Sequence, residues 1–65
     1  MKYSELVKLI ENDGWCLDRM KGSHRQYEHP TKMGIVTVAY HSPSDDVPKG
    51  MLNRILKDAG LKKGK

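Results

Sequence analysis

Lys21, Gly22, Ser23, His24, Arg25, Gln26 and Tyr27 carry the turn around which the rest of the chain is arranged. A Gly-Ser pair between two extended runs reads as a two-residue hairpin loop, with Gly22 supplying the positive φ that other residues adopt reluctantly. With that pair as the whole loop, Lys21 faces His24 across the ladder and Arg19 faces Gln26, so all four project from one polar, cationic face. His24 opens the second strand at the hairpin tip, and histidine is the side chain that most readily gives or takes a proton near neutral pH. Met20, Tyr27 and Cys16 fall on the other face, assigned to the core, with Asp18 awkwardly among them. Strict alternation then sends Trp15 and Leu17 to the polar face, so the first strand needs a bulge or a late start.

Outward from the hairpin, Trp15 to Met20 reads as the first strand and His24 to His29 as the second, ended by Pro30, which cannot donate to a ladder. Ile35 to Ala39, rich in β-branched residues, reads as the third strand, reached over the loop from Pro30 to Gly34. Tyr3, Leu6, Val7 and Ile10 recur at helical spacing and predict a helix over Ser4 to Asn12. Ser4 is its expected N-cap, Val7 stands where Glu or Gln would complete a capping box, and Asn12, Asp13, Gly14 is the stop. Leu52, Ile55, Leu56 and Ala59 predict a second helix from about Pro48 to Ala59, ended by Gly60, with Leu61 folding back as the accompanying apolar contact. The order α-β-β-β-α makes an α+β fold, a three-stranded antiparallel sheet with both helices on one face.

The 65 residues read as one domain, 1–65, and at that size folding buries only ~60% of the surface the unfolded chain exposes, so stability is expected to be marginal. Twelve Lys and Arg against eight Asp and Glu give a formal charge of +4, a balance that favours polyanions, nucleic acid first among them. The charge is concentrated from Lys49 onward, where Lys49, Arg54, Lys57, Lys62, Lys63 and Lys65 meet only Asp58; a solvated helix face with a basic tail is the plain reading of such a run. The single cysteine, Cys16, has no internal disulfide partner and suits a reducing compartment. No apolar run approaches a membrane span and the N-terminus has no signal-peptide stretch, so a cytoplasmic location is expected, with no membrane partner.

Several chemistries fail on spacing. Cys16, His24, His29 and His41 contain no cysteine pair and no His-x3-His, so no metal site or cofactor is expected. Asp45 and Asp46 are adjacent on a loop, where turn propensity explains them, and there is no carboxylate cluster for two-metal nuclease chemistry. Cys16 and His24 lie on opposite faces by alternation, which excludes a Cys-His nucleophile pair, and no glycine-rich phosphate loop appears. What remains is His24 beside Arg19, Lys21 and Arg25.

The run Gly14, Trp15, then Arg19, Lys21, Gly22, Ser23, His24, then Tyr27, His29, Pro30, followed by Thr37, Val38, His41 and by Gly50, Leu52, Ile55, Leu56, Ala59, Gly60 and Leu61, resembles the HicA toxins of bacterial and archaeal toxin-antitoxin pairs. The most specific part is the triplet Gly22, Ser23, His24 at its distance after the first helix; Ala39 stands where family members commonly have proline. The resemblance implies a double-stranded-RNA-binding-like fold acting as a metal-independent mRNA interferase, with the catalytic histidine at His24. It also implies a HicB-type antitoxin that covers the His24 face.

The chemistry that suits these residues is attack of a 2′-hydroxyl on the adjacent phosphate, with His24 as acid or base and Arg19 and Lys21 stabilising the developing charge. Gly22 and Ser23 offer backbone amides that a phosphate can approach closely, and Arg25 adds charge beside them. The start of the second helix, at Lys49 and Gly50, is a further expected RNA contact. A second proton-transfer group is not evident; His41 qualifies by type only, and His29 is expected to be a surface residue at a strand end. Two rival readings share the fold: a noncatalytic RNA-binding domain, and a protein-interaction module whose basic face docks an acidic partner.

Overall fold

α1 (Tyr3–Asn12), β1 (Cys16–Lys21), β2 (His24–Glu28), β3 (Val36–Ala39) and α2 (Lys49–Asp58) follow one another in the computed structural model, which describes residues 1–61. The α+β order predicted from the sequence is therefore the observed one. Lys62, Lys63 and Lys65 of the basic end lie outside the described residues. The three strands form an antiparallel sheet in the order β1-β2-β3. Tyr27, Val36 and Val38 on one sheet face join Tyr3, Leu6, Val7 and Ile10 of α1, Ile55 of α2, and Trp15, Val47 and Ala59 in one buried cluster. Both helices therefore close over the same side of the sheet.

α1 begins a residue before the predicted start, and Ser4 is not its cap. Lys2 takes the N-cap position, and the Glu5 carboxylate accepts a hydrogen bond from the Lys2 amide at 2.8 Å. The amides of Tyr3 and Ser4 donate to the carbonyls of Asp45 and Pro43 at 3.0 and 3.2 Å. Unpaired donors at a helix start must find acceptors, and here a distant loop supplies them in place of a capping side chain. The C-terminal ends follow the sequence closely. Gly14 and Trp15 donate to the carbonyls of Glu11 and Ile10, and Gly60 and Leu61 donate to those of Lys57 and Leu56, so both helices close in the paired hydrogen bonds of a Schellman motif.

The hairpin has the predicted register: Lys21 pairs with His24 and Arg19 with Gln26, across a Gly22-Ser23 turn in which Gly22 has φ 60°. The irregularity in β1 falls between Leu17 and Arg19, so Asp18 is the extra residue of a bulge. That shift reverses the predicted faces of Cys16 and Leu17, and Leu17 now pairs with Tyr27 on the helix side. Cys16 pairs with Glu28 and so belongs to the His24 side of the sheet. Met20 faces the helix side but is 55% exposed, so neither it nor Cys16 belongs to the core. Trp15 lies ahead of the strand and is 1% exposed, anchored in the core by the C-terminal turn of α1. A bulge increases local twist, which carries β1 off the helix layer and leaves all six of its residues exposed. The other strand limits move by one residue: β2 stops at Glu28, before His29, and β3 starts at Val36.

His29 is a structural residue, with its side chain only 7% exposed. Nδ1 accepts from the amides of Thr31 and Lys32, both at 3.1 Å, so the ring proton lies on Nε2, which donates to the Asp13 carbonyl at 2.7 Å. Trp15 packs edge-on against the ring at 5.2 Å. Lys32 donates to the Asp13 carboxylate and to the Ala59 carbonyl at 3.1 Å, and Trp15 Nε1 donates to that same carbonyl at 3.3 Å. The clasp thus joins the end of α1, the β2–β3 loop and the end of α2.

The hydrogen bond from Lys32 holds the Asp13 carboxyl below its ordinary value of 3.8, against the opposing effect of burial. A carboxyl depressed in the folded state stabilises the fold above its unfolded pKa, and that contribution disappears as pH falls through the folded value. Asp13→Asn should therefore flatten the acid limb of stability below about pH 5, measured as urea midpoints at a series of pH values. Parallel acid limbs in the two proteins would mean that the Asp13–Lys32 bond adds nothing to the linkage.

Candidate active site

His24 stands at the start of β2, the central strand, with Lys21 opposite it on β1 and Ala39 opposite it on β3. Directly opposed residues on one sheet face have Cβ atoms ~5 Å apart, so the Lys21 side chain is within reach of whatever binds at the imidazole. Ala39, on the other flank, is small and leaves the ring uncovered. The turn itself is tied down: the Ser23 carbonyl accepts from the Tyr40 amide at 2.7 Å, which continues the β2–β3 ladder to the hairpin tip. His24 is exposed, yet its backbone is held by strands on both sides.

The sequence-predicted site residues divide between the two faces. Arg19, Lys21 and His24 share the outer face by register, with Gly22 and Ser23 at its edge. Arg19 lies 3.5 Å from its neighbour Asp18, an exposed pair of the kind that contributes little. Arg25 does not join this group. It pairs with Met20 and Val38, on the helix side, and its guanidinium sits 3.9 Å above the centre of the Tyr40 ring. Lys49 is the exposed first residue of α2, outside the groove described next. His41 lies edge-on to Tyr3 at 6.4 Å. Cys16 is on the same sheet face as His24, but its partner Glu28 is four residues further along β2, roughly 13 Å at ~3.3 Å per residue; distance, not facing, separates the two.

A groove of about 280 Å³ opens beside the histidine. β2 contributes His24, β3 contributes Ile35 (from the residue just before the strand), Thr37 and Ala39, and α2 contributes Met51, Arg54, Asp58 and the buried Ile55. Thr37, Arg54 and Asp58 are not singled out by the sequence alone. Met51, Arg54 and Asp58 form a helical stripe next to the apolar stripe of Leu52, Ile55 and Ala59. That stripe reads as solvated until α2 is known to lie along β3. The groove therefore combines an imidazole, a guanidinium, a carboxylate and a hydroxyl with the apolar side chains of Ile35, Ala39, Met51 and Ile55. Among the described residues, no group of three or more His, Cys, Asp or Glu side chains comes together to hold a metal ion, and no helix is long and apolar enough to cross a membrane.

Residues 3–61 match the family model described as the HicA toxin of bacterial toxin-antitoxin systems. No curated protein matches the chain closely enough to count as a relative.

Proposed function

The chain belongs to the HicA toxin family, the toxin half of bacterial toxin-antitoxin pairs, and from that premise we propose that it is an endoribonuclease that cleaves mRNA with His24 as its proton-transferring group. The observation that carries this reading is the position of His24: an exposed imidazole on a backbone held from both sides, with the Lys21 ammonium across the ladder and a groove running from it to Arg54. In the cleavage, a base removes the proton of a 2′-hydroxyl as that oxygen attacks the adjacent phosphorus. The P–O5′ bond then breaks, and the departing 5′-oxygen takes a proton, leaving a 2′,3′-cyclic phosphate. His24 performs one of these two transfers. Lys21 and Arg19 bring positive charge to the non-bridging oxygens, where it grows in the transition state.

The partner that a toxin of this kind requires is, in this reading, a HicB-type antitoxin that covers the outer face around His24. Such a partner would neutralise Arg19, Lys21 and the groove together.

The reaction is tested with an RNA oligonucleotide carrying a single 2′-deoxy sugar at the cut site. Binding should be unchanged and cleavage at that position lost, because the proposed nucleophile is gone while every phosphate remains. Cleavage of the unmodified strand should persist in excess EDTA. Cutting at the deoxy position, or activity that vanishes with EDTA and returns with Mg²⁺, would identify an activated water as the nucleophile and end the assignment of His24 to proton transfer in a 2′-hydroxyl attack. RNA binding without any cleavage would favour a noncatalytic RNA-binding domain.

A further inference from the structure

We propose that the groove between β3 and α2 is a subsite for one unpaired base of the RNA, in which Asp58 reads an exocyclic amino group and so discriminates against uracil beside the cut. The proposal rests on the ribonuclease reading above and extends it from the reaction to its sequence preference.

Three features of the groove point to a base. Its volume of about 280 Å³ lies at the small end of ligand pockets, on the scale of one base rather than a duplex. Ile35 and Ala39 from the sheet side and Ile55 and the flexible thioether of Met51 from α2 give it apolar surface against which the faces of a base can lie. Four of its eight lining residues are polar and each differs in kind, an imidazole, a hydroxyl, a guanidinium and a carboxylate, as a site that orients a ligand requires. RNA sequence is read in this manner, from unstacked bases hydrogen-bonded along their edges.

The carboxylate decides which base. It accepts hydrogen bonds and has none to give. Adenine, cytosine and guanine each present an exocyclic amino group that can donate to it, and carboxylate to cytosine N4 is an established pairing. Uracil has no amino group, and its single edge N–H lies between two carbonyl oxygens that a carboxylate repels. Arg54, one helical turn before Asp58 on the same face of α2, has the donor geometry for the phosphate of that same nucleotide. Because His24 and Asp58 line one groove, the base so read belongs to a nucleotide near the phosphate that is cut.

The experiment uses single-stranded oligoribonucleotides that differ only in the nucleotide on each side of the cleaved bond. At one of the two positions, wild type should cleave the uridine substrate about tenfold or more slowly than the best of the other three. In Asp58→Asn the side-chain amide can donate to uracil O4 as well as accept, so this ratio should fall toward one. Equal cleavage of all four by wild type, or an undiminished ratio in Asp58→Asn, overturns the proposal. A readout independent of catalysis separates it from the ribonuclease reading: titration of wild type with 5′-AMP, CMP, GMP and UMP, followed by the amide resonances of Thr37 and Met51. UMP should bind most weakly, and Asp58→Asn should remove that difference. Selective shifts with no RNA cleavage would retain the subsite and refute the nuclease; cleavage without any such shifts or preference would do the reverse.

Discussion

His24→Gln will lose RNA cleavage by a factor of at least ~10² to 10⁴, the range that one positioned acid or base contributes, while folding and RNA affinity stay near wild type. The separation follows from where the residue stands. Its side chain is exposed, and surface substitutions away from special contacts usually change stability by no more than about 0.5 kcal/mol. Glutamine keeps the size and hydrogen-bonding character of the side chain but cannot transfer a proton at neutral pH. Urea midpoints and RNA affinity measured beside single-turnover cleavage would therefore report chemistry alone. In a bacterial host, the wild-type chain expressed alone should arrest growth, and the variant at matched expression should not. Unchanged cleavage in a folded His24→Gln protein would end the catalytic assignment and leave the basic face as a binding surface.

The second large effect lies at the packing of His29 against the end of α1. Gly14→Ala should destabilise the protein by more than about 3 kcal/mol, because two costs coincide there. Gly14 has φ 111°, beyond the left-handed region that other residues occasionally visit. A Cβ built on it would meet His29 Nε2 at 2.6 Å, so the ring would have to leave its position between the Asp13 carbonyl and the Thr31 and Lys32 amides. Each buried polar group left without a partner costs about 1–3 kcal/mol. At ~0.05–0.15 kcal/mol per residue, a domain of 65 residues has about 3–10 kcal/mol in all, so the loss is a large share of it. Gly22→Ala is the control, since Gly22 has φ 60° and open space around it, and its cost should be near 1 kcal/mol. Equal urea midpoints for the two variants would mean that the His29 packing carries none of the effect.

The parts of this fold that were legible in the sequence are those decided within a few residues. The Gly22-Ser23 turn sets the pairing of Lys21 with His24, and Gly14 and Gly60 stop their helices, because turn and cap geometry are local. The parts that were not legible depend on what distant segments supply. Ser4 has the composition of a cap, but the carbonyls of Pro43 and Asp45 already serve the start of α1. Asp18 gives no sign that it is a bulge residue, yet the one-residue shift there moves Cys16 and Leu17 each to the other face. His29 looks like a strand end, and its burial emerges only when Asp13 and Trp15 are brought against it. The candidate site divides the same way. His24, Lys21 and Arg19 follow from hairpin register, whereas Thr37, Arg54 and Asp58 join them only because α2 lies along β3. Arg25, adjacent to His24 in sequence, is on the wrong side of the sheet for the same reason that Lys21 is on the right one.

The Ala59 carbonyl, which accepts from both Trp15 and Lys32, bears on how the protein is made. A ribosome delivers the chain from its N-terminus, so Trp15 and Lys32 both exist before their common acceptor does. Until α2 has been added, the Ala59 carbonyl that Trp15 and Lys32 share and the buried Ile55 side chain are both missing from the fold. No N-terminal fragment can close the cluster on its own, and the groove has only one wall until α2 arrives. Chains abandoned partway through synthesis are thus expected to be inert, and the activity assigned to the groove begins only once α2 has docked.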